Sequence, residues 1–145
     1  MRRRGPGGRG DGIGRLEGLY NRVTASSPDD ARTLNVKSVM ALDNDRPGEA
    51  AELIGRALVI EPAEFAYLFH LAKICKHAGW WNHCVDALRR AIYVDPMNPE
   101  SWYGLGQAFE ELGSLAEAES CWRQCLAIDR GHAGAREALR QIAGR

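Results

Sequence analysis

Prolines stand at positions 28, 62 and 96, each 34 residues after the one before. Other positions keep the same interval: Ile60, Val94 and Ile128; Glu61, Asp95 and Asp129; Leu71 and Leu105; Gly79 and Gly113. A fixed period of this length means one supersecondary unit used repeatedly, with each unit's apolar face covered by its neighbours. Arg130 stands one period past Pro96, where the pattern stops.

Within a period the apolar residues are spaced for helices. Leu68, Leu71, Ala72 and Cys75 follow i, i+3, i+4, i+7, and Cys84, Leu88, Ala91 and Ile92 form a stripe on the next segment. Gly79 separates the two segments and reaches positive φ without a Cβ clash, so it terminates the first. Proline lacks an N–H and biases the preceding residue away from helix, so Pro62 and Pro96 end one helical pair and let the next begin within a few residues. Small residues at 72, 84, 106 and 118 let paired helices approach closely. The expectation is an almost entirely helical protein with seven or eight helices in antiparallel pairs.

The last full unit carries Trp102-x2-Leu105-Gly106-x2-Phe109, then Gly113, Ala118-x3-Trp122, Cys125 and Ile128-Asp129. This resembles the tetratricopeptide repeat. The unit before it offers Leu68, Leu71, Ala72, Cys75, Gly79, Cys84, Leu88, Ala91 and Pro96. The earliest offers Leu34, Lys37, Ser38, Ala41, Ala50, Ile54, Ala57 and Pro62, with Lys37 where the motif wants leucine. The resemblance covers residues 31–132 and implies an all-α, right-handed α-solenoid of three helix pairs, with repeats at 31–64, 65–98 and 99–132. Leu16, Tyr20 and Val23 lie one period before Ala50, Ile54 and Ala57, so residues 12–30 read as an N-terminal half repeat. Residues 133–145 read as a capping helix with Ala135, Leu139 and Ile142 on one face, because such a stack must cover its last apolar surface. Residues 12–145 thus read as a single domain, and residues 1–11 as a disordered, basic, Gly/Arg-rich tail. Trp102 is expected in the core against the preceding unit. Trp81 falls at a bulky core position, while Trp80 falls where the motif is usually polar, as either a contact or a cover for its neighbour.

Composition narrows the function. Lys+Arg and Asp+Glu both number 19, but residues 1–27 hold six arginines and only two acids, so a mildly acidic body carries a basic front end. No aromatic platform lies among those arginines; they read as a solubilising tail, with no nucleic acid as partner. No apolar run approaches the roughly 20 residues that span a bilayer, and no apolar segment follows the first basic residues, so neither membrane insertion nor secretion is expected. Cys75, Cys84, Cys121 and Cys125 sit inside apolar periodic segments, which fits reduced thiols in a cytoplasmic protein. They read as core packing, with Cys121 partly exposed, rather than as ligands. Cys75, His77, His83 and Cys84 are the set considered for a metal, and none is expected. No phosphate-binding glycine loop, G-x-S-x-G or H-E-x-x-H occurs, so no catalytic residue and no cofactor are assigned.

The resemblance implies that the first helix of each pair lines a concave side. That side is expected to show Asn35, Val39 and Leu42, then Phe69, His70, Lys73, Lys76 and His77, then Tyr103, Gln107, Glu110 and Glu111. An apolar-to-aromatic wall, a basic middle and an acidic far end suit an extended peptide or a helix of mixed charge, and Phe69 beside Lys73 and Lys76 suits an apolar residue next to acids. Some tetratricopeptide domains grip a partner's C-terminal carboxylate with Lys and Asn. The matching places here are Asn35, Val39, His70, Glu100 and Gly104, which lack that cationic clamp. The expected function is a cytoplasmic, non-enzymatic adaptor holding a peptide or helical segment of another protein. The alternatives are a chaperone for exported substrates and an accessory subunit of an enzyme complex; homo-oligomer formation is left open.

Overall fold

A computed structural model describes residues 29–145. The expected tail and most of the expected half repeat lie outside them. The described residues form seven helices and no strand: α1 Ala31–Asp43, α2 Pro47–Ile60, α3 Phe65–Ala78, α4 Trp81–Val94, α5 Pro99–Glu111, α6 Leu115–Ile128 and α7 Ala133–Ala143. Each helix packs against the next in sequence, α1 on α2 through to α6 on α7. The result is an all-α tetratricopeptide solenoid.

The turn inside each pair is one structure written three times. Asp45, Gly79 and Gly113, spaced by the period, all have positive φ, at 58°, 78° and 82°. The next residue's N–H closes back onto a carbonyl five residues earlier: Arg46 to Ala41, Trp80 to Cys75 and Ser114 to Phe109, at 2.8–2.9 Å. This is the six-to-one bond of a Schellman cap, which satisfies a carbonyl left open at the helix end. Two units use glycine for the left-handed residue; the first uses Asp45, a type that tolerates that region better than most.

The turns between pairs are also repeated. Glu61, Asp95 and Asp129 have φ of −131°, −140° and −130°, and each N–H closes on the carbonyl four residues back. Pro62 and Pro96 follow the first two, but Arg130 follows the third. Proline therefore fits this turn without being required for it. What recurs is the need to begin a new helix, at Phe65, Pro99 or Ala133, a few residues later. Asn98 starts α5 by accepting the Glu100 N–H at 3.0 Å, with Pro99 in the first turn, where no N–H is missed.

Both helices of each pair feed the core, and the second does so at repeated places. Ala50, Ile54 and Ala57, then Cys84, Leu88 and Ala91, then Ala118, Trp122 and Cys125 are all buried at equivalent places. The facing residue on the first helix shrinks as its partner grows. Ser38 stands at that place in the first unit and donates to the Ala50 carbonyl at 2.8 Å. Ala72 follows in the second, and Gly106 in the third, where a Cβ would come within 2.4 Å of the Trp122 indole. The Trp122 Nε1 donates to the Tyr103 carbonyl at 3.3 Å, so its burial strands no polar group.

Three expectations about the core are corrected. Trp102 is only partly buried: it bridges the second and third apolar clusters and turns its Nε1 outward to donate to the Pro96 carbonyl at 2.9 Å. The fully buried tryptophan is Trp122. Trp81 too is only partly buried, packed on the second cluster. Cys121 is buried, because its side of α6 turns into that cluster rather than outward. Lys37, where leucine was expected, places its ammonium 3.1 Å from Asp29. On α7, Ala135 is buried while Leu139 and Ile142 pack partly buried on the third cluster, which they cover.

Candidate functional site

A groove opens between α3 and α5, with a cavity of about 130 Å³. Phe69, Lys73 and Lys76 line it from α3, one turn apart from each other; Tyr103 and Gln107 face them from α5. Ala72 and Leu88 form part of its floor. Gly104 makes that floor shallow: a Cβ there would sit 3.3 Å from the Leu88 side chain, so α5 rests close on α4.

The wall residues are held in place. Phe69 stacks on Phe65 with ring centroids 5.6 Å apart and planes 15° from parallel. Tyr103 packs on the His132 ring at 4.8 Å, and Gly134 leaves it room, since a Cβ at 134 would meet the phenol ring at 2.7 Å. Lys76 Nζ donates across the groove to Gln107 Oε1 at 3.1 Å. Lys73 remains exposed at the rim.

Other residues expected in the groove have other positions. His70 is half-buried and turned toward α1, its Nε2 3.1 Å from Ser38 Oγ, and it does not line the cavity. The Ser38 hydroxyl already donates to Ala50, so the imidazole N–H is the donor here. Burial, helped by the nearby Lys73 charge, holds the His70 imidazole below its ordinary value and therefore neutral at physiological pH. His77 pairs with Asp45 at 2.9 Å, and Glu110 pairs with Arg145 at 2.7 Å. Asn35 is half-buried and Val39 exposed on α1; neither lines the cavity. Glu100 does line it, and accepts from His132 Nε2 at 2.8 Å. In the sequence, Glu100 and Gly104 stand out only as clamp positions. Their i, i+4 spacing on the face that carries Tyr103 and Gln107 was the available signal.

Three histidines each reach back 32 residues: His70 to Ser38 and His77 to Asp45 cross into the preceding unit, and His132, at the start of α7, meets Glu100 of α5. The fourth, His83, lines a second concavity of about 500 Å³ between α2, α3 and α4, beside Trp80, Asp86 and Arg90. Trp80 is 38% exposed at its edge. The four cysteines are buried free thiols. Burial pushes Cys75, Cys121 and Cys125 up to about 11, and raises Cys84. Among the described residues no three His, Cys, Asp or Glu side chains converge as a metal site, and no helix is long and apolar enough to cross a membrane.

The tetratricopeptide repeat family model matches residues 99–132. A curated relative, the general transcriptional corepressor ssn6 of Schizosaccharomyces pombe, is 42% identical over 50 residues, covering 33% of this chain. The chain spans about 4% of that relative's length. Among solved structures, MamA is similar with a TM-score of 0.78 at 20% identity, over 95% of this chain and 82% of MamA. The first tetratricopeptide domain of Spaghetti (RPAP3), bound to an HSP90 peptide, is similar with a TM-score of 0.73 at 17% identity, over 79% of this chain and 90% of that one. The chain thus matches one tetratricopeptide repeat in sequence at residues 99–132, and its described residues share the tetratricopeptide fold.

Proposed function

We propose that this chain is a non-catalytic, cytoplasmic interaction module that holds a segment of another protein in the groove between α3 and α5. The carrying observation is the groove itself: Phe69 and Tyr103 face each other across an apolar floor, with Lys73 and Lys76 beside them. Few precisely placed polar groups around an apolar concavity are what a binding site needs. The binding unit is read as repeats 31–64, 65–98 and 99–132 with the capping helix of 133–145. The structurally similar Spaghetti domain holds an HSP90 peptide, which supports the general mode. Carboxylate clamping is not the mode here. Of the corresponding places, His70 is neutral and bonded to Ser38, Glu100 is an acid, and Gly104 has no side chain.

The test is a pull-down from the native cytosol with mass spectrometry, comparing the intact chain with Lys73→Glu/Lys76→Glu. A partner of this groove should be lost from the variant while the helical circular dichroism is unchanged. Partners kept by that variant but lost by Trp80→Ala would move the site to the second concavity.

A further inference from the structure

Resting on that reading of the groove, we propose that its partner is an acidic segment, in which a carboxylate side chain stands beside one apolar side chain of leucine or phenylalanine size. Apart from the Glu100 carboxylate, the polar groups that Lys73, Lys76 and Gln107 offer to a ligand are donors. Lys73 and Lys76 are exposed, and among the described residues no carboxylate lies within ion-pair distance of either ammonium. Lys76 can only donate, so Gln107 must turn its Oε1 toward it, leaving the amide NH2 as the end available to a ligand.

Of the acids on this side, Glu110 and Glu111 lie outside the cavity and Glu100 is bonded to His132. Glu110 is taken by Arg145 at the end of the chain, outside the cavity. Glu100, the one carboxylate in the lining, is turned to His132 and lies on the far wall from the lysines. The ionised lining groups are thus two cations and one anion. A basic segment would meet two unneutralised ammonium groups, whereas a carboxylate would meet three donors.

Size sets the second requirement. A cavity of about 150 Å³ lined by apolar side chains holds a benzene molecule. The volume here is about 130 Å³, over Ala72 and Leu88 and between Phe69 and Tyr103. One branched aliphatic side chain or one phenyl ring fills it. Lys73 sits one helical turn from Phe69 and Lys76 two, both lining the same cavity, so acid and anchor must be near neighbours in the partner.

The experiment is selection of displayed random 12-residue peptides on the full chain, followed by fluorescence-polarisation titration of the enriched peptides. The expected peptides place Asp or Glu within about one turn of Leu or Phe. Changing the acid to its amide should weaken binding about tenfold at low salt and much less at high salt, and Lys73→Gln/Lys76→Gln should reproduce this. Replacing the apolar anchor by alanine should weaken binding about tenfold at either salt. Enriched neutral or basic peptides that still lose affinity with Phe69→Ala would overturn the acidic partner and leave the groove standing. Enriched peptides indifferent to Phe69→Ala and to both lysine changes would overturn the groove as well, as would no enrichment over a protein-free control.

Discussion

Gly106 lies flat against the indole of Trp122: a Cβ at 106 would come within 2.4 Å of Nε1 and 2.7 Å of Cδ1. The two residues form one packing decision. The first unit solves the same place with Ser38 and Ile54, the second with Ala72 and Leu88.

Trp122→Ala should therefore cost about 3–5 kcal/mol, as for a fully buried aromatic. Gly106→Ala should cost about 1–3 kcal/mol through overpacking against a ring that cannot fold away. The two changes together should cost less than their sum, because the smaller side chain at 122 makes room for the methyl. Urea unfolding midpoints of the three variants check this; strict additivity would mean that the backbone, not the indole, absorbs the strain. Trp102→Ala should cost less than Trp122→Ala, since Trp102 keeps one edge in water.

The thiols give an alkaline signature. Cys75, Cys121 and Cys125 rise from 9 to about 11 because burial disfavours the thiolate. The folded chain then holds protons that the unfolded chain has released. Their contribution is fully present below pH 9 and is lost as pH rises from 9 toward 11. Thermal melts between pH 8 and pH 11 should show this fall, and a thiol reagent at pH 8 should label no cysteine until denaturant is added. Rapid labelling of the native chain would contradict the burial.

His70 gives the opposite slope. Its folded value lies below the ordinary 6.5, through burial first and Lys73 second, with Asp43 pulling weakly the other way. The unfolded chain takes up this proton first, so stability is fully present above pH 6.5 and falls as pH drops through it, levelling off below the folded value. His70→Asn retains a side-chain donor and should flatten the melting temperature between pH 7 and pH 5 relative to the unmodified chain. An unchanged slope would assign it to other groups.

Removing residues 133–145 should uncover the apolar surface over Trp122, Leu126 and Tyr103 that α7 covers. End repeats without a polar outer face associate. The truncated chain should melt lower and show a concentration-dependent mass by light scattering, while the intact chain's helical spectrum serves as the reference.

Much of this was legible because the period makes one set of residues predict another. Gly79 and Gly113 could be read as positive-φ residues; Asp45, at the same place, could not, since aspartate tolerates that backbone without signalling it and only the phase points to it. Phe69, Lys73, Lys76, Tyr103 and Gln107 could be placed on one side of the stack because the resemblance says which helices line it and the phase says which residues face it. That Glu110 and His77 are engaged could not, because Arg145 and Asp45 reach them across more than thirty residues. Burial within a helix face misled in the same way: Trp102 and Trp122 both fall on apolar stripes, and only the glycine opposite Trp122 makes the deeper place.

The histidine bonds make the units non-interchangeable. Cutting out residues 65–98 would preserve the phase of every turn and every small-to-large core pair, so the remaining helices would still look like a sound stack. It would also bring Glu111 into the place of His77, against Asp45, and Gly104 into the place of His70, against Ser38. At that one new joint, the first contact would become a repulsion and the second a lost bond. Shared spacing makes the repeats look like copies; their order is written in the side chains that reach across the joints.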